Sequence, residues 1–258
     1  MLLLGLEPVA IGPADSAVEV VASPEYYGER AKAFAVIGGP YEALNLEDIV
    51  AVQPDLVIAF ELQTTLREGL GDIPVFYMRL NTVEDGVALL RSVGALTGRS
   101  NEAEAAISAF NERVAKYIAQ IPERRSVGVI MGSNVNFEVF TDQSPGGDLL
   151  NRVAINPFPL PEGAVNYGGS MPYSMEQLLA KDPEVLFTIT PLWAGSDKPL
   201  AEVLAETPLW RELRAVREQR VYTAPDEWGN VGGLHSLRIM LDQAMPLIYP
   251  ETFSQPLP

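Results

Sequence analysis

The chain has 258 residues, enough for one large or two medium domains, and 47% of them are apolar, enough to fill their cores. A net charge of −16 argues against a nucleic-acid backbone, which needs a basic stripe, and against docking on anionic lipid. The lack of cysteine removes disulfides and thiolate metal sites, and no run reaches the roughly 18–20 apolar residues that span a bilayer.

The opening stretch MLLLGLEPVA has no basic segment and no small-residue cleavage site, so no secretory leader is visible in it. Residues 8–12 predict a short strand, and AFAVIGG at 33–39 predicts another that closes on a Gly-Gly-Pro turn. A helix from about 46, a strand over 56–60 and a strand over 73–78 follow. Strands alternating with helices predict a mostly parallel sheet in a first lobe, 1–82. From Thr82 the period changes to 3.6. Val87, Leu90 and Val93 share one face, and residues 101–121 form a long amphipathic helix that Pro122 ends. About 19 residues of helix span on the order of 28 Å, so 83–125 is expected to link two lobes.

The second lobe, 126–258, opens on the buried strand VGVIMG. A loop SNVNFEVFT, a turn at 144–148 and a helix from Leu149 are expected next. Residues 156–173 are rich in proline and glycine with little periodicity, the signature of a functional loop. A helix and strand over 174–189, a helix near 199–205, a strand over 220–223 and a last helix near 233–247 complete the chain.

One sentence occurs twice. Residues 45–58 read NLEDIVAVQPDLVI, and residues 174–187 read SMEQLLAKDPEVLF, at a constant offset of 129 residues. Asn45 and Ser174 suit helix N-caps, and Ser174 with Gln177 has capping-box spacing. Pro54 and Pro183 cannot continue the helix, and an apolar run comes after each. The period is too long for a solenoid, so it predicts two similarly built lobes.

Catalytic chemistry is sparse. There is one histidine, His235, inside a helical pattern, and one histidine without cysteine cannot build most zinc sites. Nucleophile-elbow, Walker and dinucleotide-binding patterns are absent. Carboxylates are abundant, which leaves a carboxylate-based hydrolase as an alternative. The loops after strands instead carry rings and a cation: Tyr41, Arg79, Tyr167, Trp193 and Trp228. These lie at the edge where α/β proteins bind ligands. Trp210 comes after Thr207-Pro208 in a helical segment and is expected in the core.

NLEDIVAVQPDLVIAF resembles the first-lobe signature, and TPLWRELRAVREQRVYTAP the second-lobe signature, of the substrate-binding proteins of bacterial ABC importers for iron-siderophores, haem and cobalamin. The resemblance implies two Rossmann-like α/β lobes joined by one long helix, with the ligand between them. It implies a monomeric, non-catalytic, periplasmic or otherwise extracytoplasmic protein, in some members lipid-anchored. Such a protein captures a ferric siderophore or related chelate and delivers it to an ABC permease, without nucleic acid and without a cofactor. Cobalamin or haem is the alternative on the same fold. The family's two permease-docking glutamates match Glu47 and Glu176. Its hydroxamate-binding arginine has no counterpart beside Tyr41, and Tyr167 stands near its tryptophan. Metal would be held through its chelator, not by side chains. Family members place a strand and most of a helix ahead of the segment matching LLLGLEPVA, so the first lobe is expected to lack its first strand.

Overall fold

The computed structural model describes residues 1–164, 168–230 and 232–258. They divide into two compact units, Met1–Arg79 and Leu80–Pro258. The division falls at Arg79, just ahead of the expected 82, and the helical segment 83–125 is counted with the second unit.

In the first unit, β1 (Ala10–Ile11), α1 (Ala14–Ala22) and β2 (Ala35–Val36) form one parallel pair with its crossover, Ala10 opposite Ala35. After α2 (Leu46–Ala51), the strand β3 (Val57–Phe60), α3 (Thr65–Gly69) and β4 (Val75–Met78) form a second, Val57 opposite Val75. Parallel strands need such crossovers because their ends lie on opposite edges. The core gathers Ile37, Ile49, Ala59, Leu66 and Leu70, with Val57, Val75 and Tyr77 packed on it.

The second unit begins with α4 (Val83–Leu96), started by a capping box between Thr82 and Asp85, and α5 (Ser100–Ile118). The strands β5 (Val127–Met131) and β6 (Phe137–Phe140) follow, then α6 (Pro145–Val153), β7 (Ser170–Tyr173) and α7 (Met175–Lys181). The chain ends with β8 (Val185–Ile189), α8 (Leu200–Leu204), α9 (Arg214–Arg217), β9 (Val221–Thr223) and α10 (Leu234–Ile248). Among the described residues the sheet order is β7-β6-β5-β8-β9, parallel from β5 to β9 and antiparallel across β6. The expected loop at 133–141 thus contains a strand. Phe137, Val139 and Phe140 are all buried, so β6 lacks the alternation that marks a half-exposed strand. Helix α6 starts ahead of Leu149 because Ser144 accepts from the Gly147 N–H and Pro145 takes the first helical position.

The repeat extends to backbone geometry. Asn45 Oδ1 accepts from the Glu47 N–H at 3.0 Å, and Ser174 and Gln177 form the capping box that their spacing predicts. At the far end, Gln53 and Asp182 occupy matching positions with φ of 46° and 42°, each directly before the proline. A left-handed residue reverses the chain out of the helix, and proline then holds it extended into the strand. Arg214 N–H donates to Asp182 Oδ1 at 2.7 Å, so the second copy also anchors the turn before α9.

Asp242, only 8% exposed, fastens α10 to α5. Its Oδ1 accepts from Arg113 Nε at 2.6 Å and from the Tyr117 hydroxyl at 3.0 Å, and its Oδ2 accepts from Arg238 at 3.1 Å. Removing a carboxylate from such a cluster leaves an uncompensated guanidinium. Asp242→Ala is therefore expected to cost about 3 kcal/mol in urea unfolding; a loss below about 1 kcal/mol would place it with ordinary surface pairs. A left-handed non-glycine residue is strained by roughly 1–2 kcal/mol. Gln53→Gly should accordingly raise the unfolding free energy, by about 0.5–1 kcal/mol after the added chain entropy. Asp182→Gly should show no such gain, because it forfeits the bond from Arg214.

Candidate functional site

The candidate site is built on the carboxyl ends of the parallel strands, where α/β sheets present their loops. In the first unit, the loop after β2 turns through Gly39 at φ 97°. A Cβ there would lie 2.6 Å from the Ala43 carbonyl oxygen, so the turn closes only around glycine. Gly38 N–H donates to Asp48 Oδ2 at 3.0 Å, and Asn45 N–H donates to the Gly38 carbonyl at 2.8 Å. These bonds tie the loop to the first turn of α2.

Tyr41 caps this loop. It is 37% exposed, and its ring rests on Phe60, the last residue of β3, at 5.6 Å. The side chain that holds it there is Gln63, 4% exposed. Gln63 Nε2 donates to the Tyr41 carbonyl at 2.9 Å, and its Oε1 accepts from the Phe60 N–H at 2.9 Å. One carboxamide thus stitches the β2 loop to the end of β3. Arg79 leaves β4 on the same edge, with its Nε 3.7 Å from Glu61 Oε1. Tyr41 and Arg79 therefore reach the neighbouring residues Phe60 and Glu61, which brings the two first-lobe candidates to one strand end.

An adjoining cavity of about 310 Å³ is lined by Glu61, Thr64, Arg67, Glu68 and Tyr77. The Arg67 guanidinium lies 5.2 Å over the Tyr77 ring, and the Tyr77 hydroxyl is buried without a hydrogen-bond partner. Sequence reasoning missed Gln63 and Tyr77. Gln63 sits outside any periodic segment, and Tyr77 reads as an ordinary strand residue.

In the second unit, the turn Leu192–Ala194 comes directly after β8 and carries Trp193, whose side chain lies outside the described residues. Leu192, 67% exposed, donates its N–H to Asp226 Oδ1 at 2.9 Å, which joins the loops after β8 and β9. Trp228 lies in the turn Asp226–Asn230 but points into the core. It is 2% exposed, its ring is 4.9 Å from Phe187, and its Nε1 donates to Gln243 Oε1 at 2.7 Å. The ring expected at the ligand edge instead supports that loop from beneath. Tyr167 lies outside the described residues. Trp210 is buried, as expected, in the core cluster that also holds Ile130, Leu178 and Leu186.

Glu47 and Glu176 are both exposed, each at the second position of its helix and each on the edge that carries the loops. The hydrogen bond from Ser174 and the helix's own N–H hold the Glu176 carboxyl below the usual range. The described residues contain no group of three or more His, Asp or Glu placed to hold a metal ion, and no helix among them is long and apolar enough to cross a membrane.

Residues 2–228 match the periplasmic binding protein family. The ferric dicitrate-binding periplasmic protein FecB of Escherichia coli is 24% identical over 196 residues, covering 74% of this chain and 62% of FecB. This chain thus spans less than two thirds of that relative. The vitamin B12-binding protein of Vibrio parahaemolyticus is 25% identical over 244 residues, covering 86% of this chain and 78% of its own. Among solved structures, the siderophore-binding protein FhuD of Vibrio cholerae, bound to Fe3+-Desferal, superposes with a TM-score of 0.74 at 22% identity. It covers 96% of this chain and 92% of its own. The haem complex of Staphylococcus aureus IsdE gives 0.75 at 18%, covering 96% and 93%. These likenesses show a shared fold.

Burial pushes the Tyr41 hydroxyl up to about 12, helped by the Glu42 charge. Burial likewise raises Tyr27, whose hydroxyl donates to the Leu6 carbonyl at 2.8 Å, to about 12. An acid whose folded pKa is raised stabilises the fold fully below its unfolded value of 10.0, and loses that contribution as pH rises toward 12. The first unit should therefore lose stability between about pH 10 and pH 12. Urea midpoints across that range should fall less steeply for Tyr27→Phe than for the parent chain; parallel curves would show that Tyr27 does not titrate with unfolding.

Proposed function

The chain belongs to the periplasmic binding protein family, and from that premise we propose that it is an extracytoplasmic, monomeric substrate-binding protein that captures a metal chelate and delivers it to an ABC permease. The observation that carries this reading is the convergence of Tyr41 and Arg79 on the end of β3, a ring and a guanidinium presented together at the carboxyl edge. A ring face packs against the apolar skeleton of a chelator, and a guanidinium donates to its oxygens. Trp193, in the loop after β8, is the second unit's candidate contact. No step in this role requires turnover, and no residue is assigned a catalytic part.

Glu47 and Glu176 supply the docking half of the proposal. Each is an exposed first-turn carboxylate in one copy of the same repeated unit, suited to cations on a partner. The chelate proposed is a ferric siderophore. Cobalamin is the second reading, favoured by the vitamin B12-binding relative, which matches more of both chains than FecB does.

Capture and delivery separate experimentally. Tyr41→Ala should weaken chelate binding by about 1–3 kcal/mol in calorimetry, the range for losing an aromatic anchor. The double variant Glu47→Ala, Glu176→Ala should bind as tightly as the parent yet support little uptake in cells that depend on the chain. Affinity lost with the glutamates would remove them from docking, and undiminished uptake would do the same.

A further inference from the structure

We infer that the site selects neutral or cationic chelates and rejects polyanionic ones. This rests on the binding-protein reading above and adds the charge class of the ligand.

Arg79, on the proposed ligand edge, has Glu61 beside it at 3.7 Å, and both side chains are substantially exposed, so a ligand that approaches the guanidinium also meets the carboxylate. Arg67 lies over the Tyr77 ring in a cavity that it shares with Glu61 and Glu68. Tyr41 stays a neutral phenol with Glu42 next to it. The rim of the first unit therefore sets the carboxylates Glu42, Glu61 and Glu68 against the guanidiniums Arg67 and Arg79.

One loop of the second unit has the same sign. The segment 224–230, APDEWGN, carries Asp226 and Glu227 and no cation. Asp226 has one oxygen engaged by the Leu192 N–H, which fixes the carboxylate in the loop.

A polyanionic chelate, such as a ferric polycarboxylate, is held by guanidiniums that offer two parallel donors without a competing carboxylate. Here the guanidinium nearest the proposed ligand already faces one. A chain of net charge −16 also slows the approach of a polyanion and speeds that of a cation. A neutral or cationic chelate meets rings, a compensated donor and excess carboxylate, all of which suit it. FecB, whose name states ferric dicitrate, would on this account differ from this chain in ligand charge while sharing its fold.

The test is titration calorimetry on the full chain with three probes: ferrioxamine B, a cationic ferric trihydroxamate; cyanocobalamin, which is neutral; and ferric dicitrate, which is anionic. Saturable one-to-one binding is expected for at least one of the first two, with ferric dicitrate at least about tenfold weaker. Glu61→Gln keeps the shape and removes the charge, and should narrow that preference by about tenfold. Tightest binding of ferric dicitrate would overturn the inference and leave the binding-protein reading standing. An unchanged preference in Glu61→Gln would overturn the assignment of selectivity to the Glu61–Arg79 pair. Binding of none of the three by folded protein would overturn both readings together.

Discussion

Each unit depends on one reversal of the chain. A helix closes on a left-handed residue, Gln53 or Asp182, and a proline then commits the chain to a strand. The constraint is local and steric, because the proline ring excludes another helical turn and the left-handed residue lets the backbone fold back within two positions. Its consequences are not local. The strand it feeds is the central, fully buried β8 in the second unit and the partly buried β3 in the first, and the helix it ends begins on the opposite edge of the sheet. That edge is where the strands deliver their loops. A turn at one edge therefore sets what stands at the other: Asn45 with Glu47 in the first unit, Ser174 with Glu176 in the second.

The loops themselves need a second device, since nothing in a parallel sheet orients the segments that leave its strands. In the first unit the device is Gln63. A buried carboxamide must satisfy both a donor and an acceptor, and Gln63 does so between the loop after β2 and the end of β3. Tyr41 is thereby held on Phe60 instead of swinging into solvent. In the second unit Asp226 plays the comparable part, accepting the Leu192 N–H across two loops. Trp228 backs that arrangement from below, its indole nitrogen spent on Gln243. A ring whose one donor is engaged inside the core stiffens the loop above it.

The repeated helix–turn–strand was legible in the sequence because its polar positions match as well as its apolar ones. Caps are local chemistry, and local chemistry survives reading one residue at a time. Several elements did not yield to the same reading. Strand β6 has both faces covered, so FEVF after the asparagine-bearing stretch SNVN shows no period. Val50 and Ile118 fit the apolar stripes of their helices yet remain exposed, because a stripe is wider than the surface available to cover it. Trp228 comes after a strand as the other candidates do, and only the packing of Phe187 and α10 turns it inward. Tyr41 and Arg79 stand at a strand end as their place after strands suggests, while the inward turn of Trp228 is settled by partners distant in sequence.

Two electrostatic kinds of carboxylate matter to the proposed reading, and both arise from the same architecture. Glu61 stands beside a guanidinium at the end of a strand, where a charge is compensated side by side. Glu47 and Glu176 stand in the first turn of a helix, where the unpaired backbone N–H groups stabilise a negative charge without covering it. A carboxylate compensated by another side chain has little attraction left for a third charge. One compensated by the helix end keeps its outer face for a partner. On the proposed reading, ligand capture needs the first kind, so that a bulky chelate meets no strong isolated charge, and docking needs the second, so that a cation on the permease finds an open acceptor. On that reading the repeated turn, by placing one helix start on the carboxyl edge of each unit, keeps the docking acids apart from the acid paired at the strand end.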